Sequence, residues 1–192
     1  MLKALISRRF MPLRIIVLVV VGCLALLGAR YRHIDAQHPV TSATPAPELV
    51  GDTWLNSNGP VHLSDRKGKV TMVEFWTFAC SNCRANLPVY ERIQKRFGGD
   101  NFSIVSIHTP ELKQEFDTNN VKKFVSDSAI AYPVLIDNKY ANWDRWKQEF
   151  WPAVYLVDKQ GNIRQKWVGE LNYLGHDGEG EVCAEITRLL AE

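Results

Sequence analysis

Two periods of apolar spacing organise this chain. Val70–Trp76 and Phe102–His108 are dense runs of Val, Ile and Phe. They read as strands buried on both faces, of the parallel type. Between them Leu87, Tyr90, Ile93 and Phe97 recur at helical spacing, predicting a helix from about Cys80 to Phe97. Pro88 lies inside that helix and is expected to kink it. Further on, Val121–Ser126 reads as a helix, Tyr132–Ile136 as a short strand and Asn138–Gln148 as a helix. Val154–Asp158 and Asn162–Val168 read as strands joined by Asp158-Lys159-Gln160-Gly161, a hairpin signal. Glu179–Glu192 is amphipathic, with Val182, Ile186, Leu189 and Leu190 on one face. Near the start, Trp54 and Val61-His62-Leu63 flank Asn56-Ser57-Asn58-Gly59-Pro60, which predicts a small hairpin. Alternating strands and helices, followed by a hairpin and a helix, define an α/β sandwich with a mixed sheet.

Composition fits one globular domain with an accessory segment: 192 residues, 46% hydrophobic and 23% charged. The net charge of +2 hides an asymmetry, since residues 1–34 hold six Lys/Arg and no Asp/Glu. The remainder carries 17 basic against 21 acidic residues. The basic surplus therefore points to membrane topology, and against nucleic-acid binding. Lys3, Arg8, Arg9 and Arg14 precede an apolar run from Ile15 to Ala29, with Arg30 and Arg32 after it. Leu13 and Tyr31 extend the run, so residues 13–30 read as a single inner-membrane span with its N-terminus in the cytoplasm. The bulk of the chain then faces the periplasm or the outside of a bacterial cell. A cleaved signal peptide is the competing reading, but its site would place bulky Leu27 where a small residue is preferred. Cys23 reads as a lipid-facing residue of the span and not as a lipoprotein site. The expected organisation is an anchor over 1–29, a Pro/Ala/Thr-containing tether over 30–47 and a globular domain over 48–192.

The chemistry is concentrated at Cys80-Ser81-Asn82-Cys83, between the strand ending at Trp76 and the helix that follows. A thiol at a helix N-terminus meets unpaired backbone N–H groups and the positive end of the dipole. Two cysteines three apart can close a disulfide within one turn. A structural zinc would need further ligands, and the other cysteines are Cys23 and Cys183. Haem attachment would need a histidine where Arg84 stands. A purely structural disulfide stays open in an oxidising compartment, and the strand-to-helix setting favours redox exchange over it.

Glu74 lies in the middle of an apolar strand, six residues before Cys80. If it points inward beneath the dithiol, burial would raise its pKa and it could exchange a proton with Cys83. If it points outward it meets solvent or Lys69, and the pattern alone leaves both open. Trp151-Pro152, just before a strand, is either an ordinary strand start or a cis-proline turned against the dithiol.

Val73-Glu74-Phe75-Trp76-Thr77-Phe78-Ala79-Cys80-Ser81-Asn82-Cys83 resembles the active site of the thioredoxin superfamily. Trp151-Pro152 lies where that superfamily has its cis-proline. The segment before the first strand and the helical insert resemble the membrane-anchored TlpA/ResA-like branch, and the motifs around Cys80, Trp151 and Gly178-Glu179-Gly180 resemble the thioredoxin-like module of DipZ-type proteins. The resemblance implies a three-layer sandwich with helices on both faces, an N-terminal hairpin and a helical insert. It implies Cys80 as the attacking thiolate, Cys83 as the resolving thiol and Glu74 as the buried acid. Pro152 would shape a substrate groove, with Trp151, Trp76, Ser81 and Asn82 beside it. It further implies protein disulfide or dithiol substrates, no cofactor, and re-reduction by a membrane electron donor of the DsbD/CcdA type.

Two rivals have their own signals. Thr77-Phe78-Ala79-Cys80 matches the T-x-x-C half of a peroxiredoxin site, but Val73 stands where that family has proline. A non-catalytic metallochaperone or assembly module would keep the fold without cycling its thiols, and a metallochaperone would need a third ligand, for which His108 and His176 are the candidates. Cys183 reads as a buried structural thiol.

Overall fold

The structure is a computed structural model describing residues 44–192. The expected anchor, Cys23 and most of the expected tether lie outside the described residues. Among the described residues, no helix is long and apolar enough to cross a membrane.

Among the described residues, seven strands form one mixed sheet. They are β1 (Thr44–Pro45), β2 (Trp54–Leu55), β3 (Val70–Trp76), β4 (Phe102–His108), β5 (Val134–Ile136), β6 (Ala153–Val157) and β7 (Asn162–Val168). Their order is β1-β7-β6-β3-β4-β5-β2. β3, β4 and β5 run parallel, and the remaining pairings are antiparallel. The parallel steps need crossovers, supplied by helix α1 (Ser81–Phe97) and helix α2 (Thr118–Asp127). Helix α3 (Ala141–Arg145) precedes β6, and α4 (Gly178–Ala191) closes the chain. The mixed sheet with helices on both faces is as expected.

Side chains alternate across β3, so its two faces build two cores. Met72 and Trp76 join Tyr90 and Ile93 of α1, Val121 and Val125 of α2, and Val182, Ile186 and Leu189 of α4. Val73 and Phe75 join Val105 and Ile107 of β4, Trp146, and Leu49 and Leu63 from the N-terminal segment. That second layer is built partly from extended chain, because α3 has only five residues.

Three expectations need correction. Trp54–Leu55 does not form a hairpin with Val61–Leu63. It pairs with β5 across the sheet edge, Trp54 opposite Leu135 and Leu55 opposite Val134. The Leu63 and Ser64 amides donate instead to the Glu48 carboxylate, at 2.7 and 3.0 Å. The helix expected over Asn138–Gln148 shrinks to α3, because Tyr140 (φ 58°) and Lys147 (φ 50°) adopt left-handed backbone on either side of it. Pro88 lies inside α1, as expected, and the helix continues past it to Phe97. The sheet also reaches into the expected tether, since Thr44–Pro45 pairs with β7. The β6–β7 turn closes as its sequence suggests, with Gly161 at φ 89° and its amide donating to the Asp158 carbonyl at 3.0 Å.

Candidate active site

β3 delivers the chain to the site and α1 carries it away. Cys80 caps α1, and its Sγ accepts the Cys83 amide at 3.3 Å. Cys80 is partly exposed, whereas Cys83 is 1% exposed. Both are free thiols. One sulfur can therefore meet a partner's disulfide while the other waits beneath it. Ser81 and Asn82 are exposed at the helix start. Arg84 reaches back over the loop, donating to the Phe78 and Ala79 carbonyls at 3.0 and 3.2 Å.

Glu74 points inward. It shares the parity of Met72 and Trp76, sits opposite Ser106 of β4 and Val154 of β6, and is fully buried. Neither carboxylate oxygen has a hydrogen-bond partner. Burial pushes its pKa up to about 7, and the nearby hydroxyls of Ser106, Tyr132 and Tyr90 offset only part of this. The Cys83 thiol is pushed well above its usual range, by burial first, then by contact with Cys80 and the charge of Glu74. A buried thiol that resists ionisation thus lies near a carboxylate that exchanges its proton around neutral pH.

The Trp151–Pro152 bond is cis. Ala153 pairs with Phe75, so Pro152 lies at the end of the sheet where β3 gives way to the Cys80 loop. Trp151 is partly buried and packs against Trp143, ring centroids 4.0 Å apart and planes tilted by 33°. Trp76 departs from expectation: it is 1% exposed and faces the core, where its ring meets His108 at 5.1 Å and Phe124 at 5.6 Å. It therefore does not line an open groove.

Two further buried groups belong to this site: Glu115, which the sequence did not single out, and His108, which it offered only as a third metal ligand. Glu115, in the turn between β4 and α2, is completely buried. One of its oxygens accepts the Thr77 hydroxyl and the Ala79 amide (2.7 Å), and the other accepts the amides of Glu111 (2.9 Å) and Leu112 (2.7 Å). Burial alone would raise its pKa, but these bonds outweigh it and hold the carboxyl below the usual range. His108 is buried between Trp76 and Phe78, and burial lowers its pKa to about 4. Neither ring nitrogen has a hydrogen-bond partner. His176 lies far along the chain in an exposed loop, 3.7 Å from Glu181. Cys183 is buried on α4, as expected of a structural thiol.

A dithiol capping a helix, above a buried acid and beside a cis-proline, defines a thioredoxin-like disulfide-exchange site. Residues 43–166 match the model of the AhpC/TSA family, and the chain belongs to that family. It is 34% identical over 142 residues to Protein DipZ of Mycobacterium tuberculosis, a match covering 72% of this chain and 20% of that protein. It therefore spans about a fifth of that relative's length. It is 30% identical over 152 residues to the thiol-disulfide oxidoreductase YkuV of Bacillus subtilis, covering 77% of this chain and 95% of that one. Among solved structures, the thioredoxin-like superfamily protein SPOA0173 superposes with a TM-score of 0.70 at 26% identity, covering 78% of this chain and 98% of that one. The described domain is a thioredoxin-superfamily oxidoreductase module.

Proposed function

We propose that this chain is a membrane-tethered, extracytoplasmic thiol:disulfide oxidoreductase that reduces disulfides in protein substrates. The observation that carries the reading is the graded pair: a partly exposed Cys80 on a helix cap and a buried Cys83 with Glu74 nearby. Cys80 thiolate attacks a substrate disulfide, forming a mixed disulfide and releasing one substrate thiolate. Cys83 gives its proton to the Glu74 carboxylate, and its thiolate attacks the Cys80 sulfur. The second substrate thiolate leaves, and two electrons have passed to the substrate. A membrane dithiol donor of the DsbD/CcdA type returns the pair to the reduced state. The tether is supported by the apolar run from Ile15 to Ala29 and its basic flanks.

The peroxide reading is disfavoured by Thr77, whose hydroxyl donates to Glu115 and is not free to bind a peroxide above Cys80. The test is capture in cells. Cys83→Ser should trap substrates and donor as mixed disulfides at Cys80, and Cys80→Ser should trap none. A Cys83→Ser protein that captures no partner, together with a wild type that neither reduces nor oxidises a model disulfide, refutes the function. Direction is read from the reduction potential: about −270 mV favours a reductase and about −120 mV an oxidase. Peroxide consumption by Cys83→Ser would support the rival.

A further inference from the structure

Five large hydrophobic side chains are exposed in the described domain, and three of them are Leu112 (44%), Phe116 (43%) and Phe150 (59%). Phe150 adjoins Trp151 and the cis bond. Leu112 and Phe116 belong to the turn that Glu115 fastens to the Cys80 loop. The Glu115 carboxylate joins Thr77 and Ala79 on one side to Glu111 and Leu112 on the other. From Phe116 a run of ring contacts leads back to the cis-proline: Phe116 to Tyr140 at 6.4 Å, Tyr140 to Trp143 at 6.4 Å, and Trp143 to Trp151 at 4.0 Å. A second buried carboxylate fixes the middle of this run, since Asp137 accepts the Trp143 amide at 3.0 Å. Apolar surface costs free energy when left wet, and exposed apolar side chains on the two loops that flank a reactive thiol mark where a partner covers them.

We propose that the Glu111–Phe116 turn is a second wall of the substrate groove, opposite the cis-proline loop, and that it selects disulfides whose cysteine is flanked by apolar side chains. The occupant is the polypeptide on either side of the substrate cysteine, since the aromatic run is continuous with Trp151 and Pro152 beside the dithiol. Ser81 and Asn82 are exposed and uncharged at the groove's floor, while the Arg84 guanidinium is turned onto the Phe78 and Ala79 carbonyls. Glu115 is a positioning residue here: it bears on Cys80 only through the Ala79 amide, and it carries the wall on its other oxygen. This inference rests on the disulfide-reductase reading.

The test uses the full chain in detergent, reduced beforehand, in single turnovers against two cyclic disulfide peptides. The peptides differ only beside one cysteine, with Leu and Phe in one and Ser and Asp in the other. Each turnover moves two electrons and two protons from the dithiol to the peptide disulfide. Wild type should favour the apolar peptide by about tenfold, the scale of one apolar group in a pocket. Leu112→Ser and Phe116→Ser should bring the two peptides to within about twofold. Glu115→Gln retains one acceptor oxygen and should raise the half-saturating concentration of the apolar peptide several-fold more than that of the polar one. Equal wild-type rates on both peptides overturn the inference, as does a preference that survives in both serine variants. A Glu115→Gln protein with slower limiting rates on both peptides and unchanged half-saturation also overturns it, by confining Glu115 to the dithiol loop. A wild type that reduces neither peptide overturns the reductase reading along with it.

Discussion

Replacing Glu74 with Gln should stabilise the protein, and only on the alkaline side. In the native state the Glu74 proton is held up to about pH 7, whereas an unfolded chain releases it near 4.5. Between these values the native state binds the extra proton, so this group's contribution to stability falls as pH rises. A gap of about 2.5 units at about 1.4 kcal/mol per unit sets the loss at about 3 kcal/mol above pH 7. Full burial leaves no solvent to discount it. Glutamine keeps the shape without the charge. The wild-type profile alone conceals the effect, because His108 pulls the opposite way. Its pKa falls from 6.5 to about 4 on burial. The unfolded state therefore binds its proton over nearly the same interval, where stability rises with pH. The two slopes nearly cancel between about pH 4.5 and 6.5, so the difference between variant and wild type is the quantity to measure. Urea unfolding of the reduced protein at several pH values should give Glu74→Gln no advantage near pH 4. The advantage should grow through pH 6 and level off above pH 7.5. The same variant should slow the resolving step. A constant stability difference across that range would show that Glu74 does not titrate inside the fold, and the proton-acceptor role would fall with it.

His108→Phe should give the mirror image, gaining up to about 3 kcal/mol near pH 4 and nothing above pH 7, as checked by the same unfolding series. Asn86→Ala should cost about 2–4 kcal/mol, since the amide donates to the Gly169 carbonyl and the Tyr90 hydroxyl and accepts the Leu171 amide. That loss should appear in chemical denaturation, with the freed Gly169–Gly178 loop cut faster by protease. Gly161→Ala should cost about 1 kcal/mol of stability by urea titration, from the positive φ alone, because open space surrounds the added carbon. Cys183→Ala should leave the dithiol's exchange rate with a model disulfide unchanged, and a slower rate would give this buried thiol a part in the chemistry.

Buried strands were the most legible elements. β3 and β4 match the sequence reading residue for residue, because runs rich in Val, Ile and Phe leave few other conformations, and the half-buried β7 matches it through the turn that precedes it. The dithiol and the cis-proline were readable from their motifs. Glu74 was readable as a lone carboxylate in an apolar strand, although its direction needed the sheet. Once Met72 is known to face α1, alternation sends Glu74 and Trp76 the same way. That parity explains both the buried acid and the loss of Trp76 from the groove. The partner of Trp54 was hidden, because pairing with β5 joins segments some 80 residues apart and leaves no local signal. Glu115 was hidden for a related reason. Its partners are backbone amides and one hydroxyl, and Thr77 and Ala79 lie 38 and 36 residues upstream. A carboxylate in a polar turn looks the same in sequence whether it faces water or the interior.

The two shortest strands have a consequence for solubility. β1 covers the free side of β7, and β2 covers the free side of β5, so one stretch of chain blunts both rims of the sheet. Six interstrand steps span about 29 Å, and the nine residues from Pro45 to Trp54 reach at most about 32 Å. That stretch is therefore nearly taut, crossing the face where Leu49 is buried. A protein trimmed to begin after Leu55 would bare two rows of unpaired amides and carbonyls at once, each able to recruit another copy's rim. Self-association of such a trimmed protein, with its dithiol intact, would show that this crossing segment guards the molecule against its own kind.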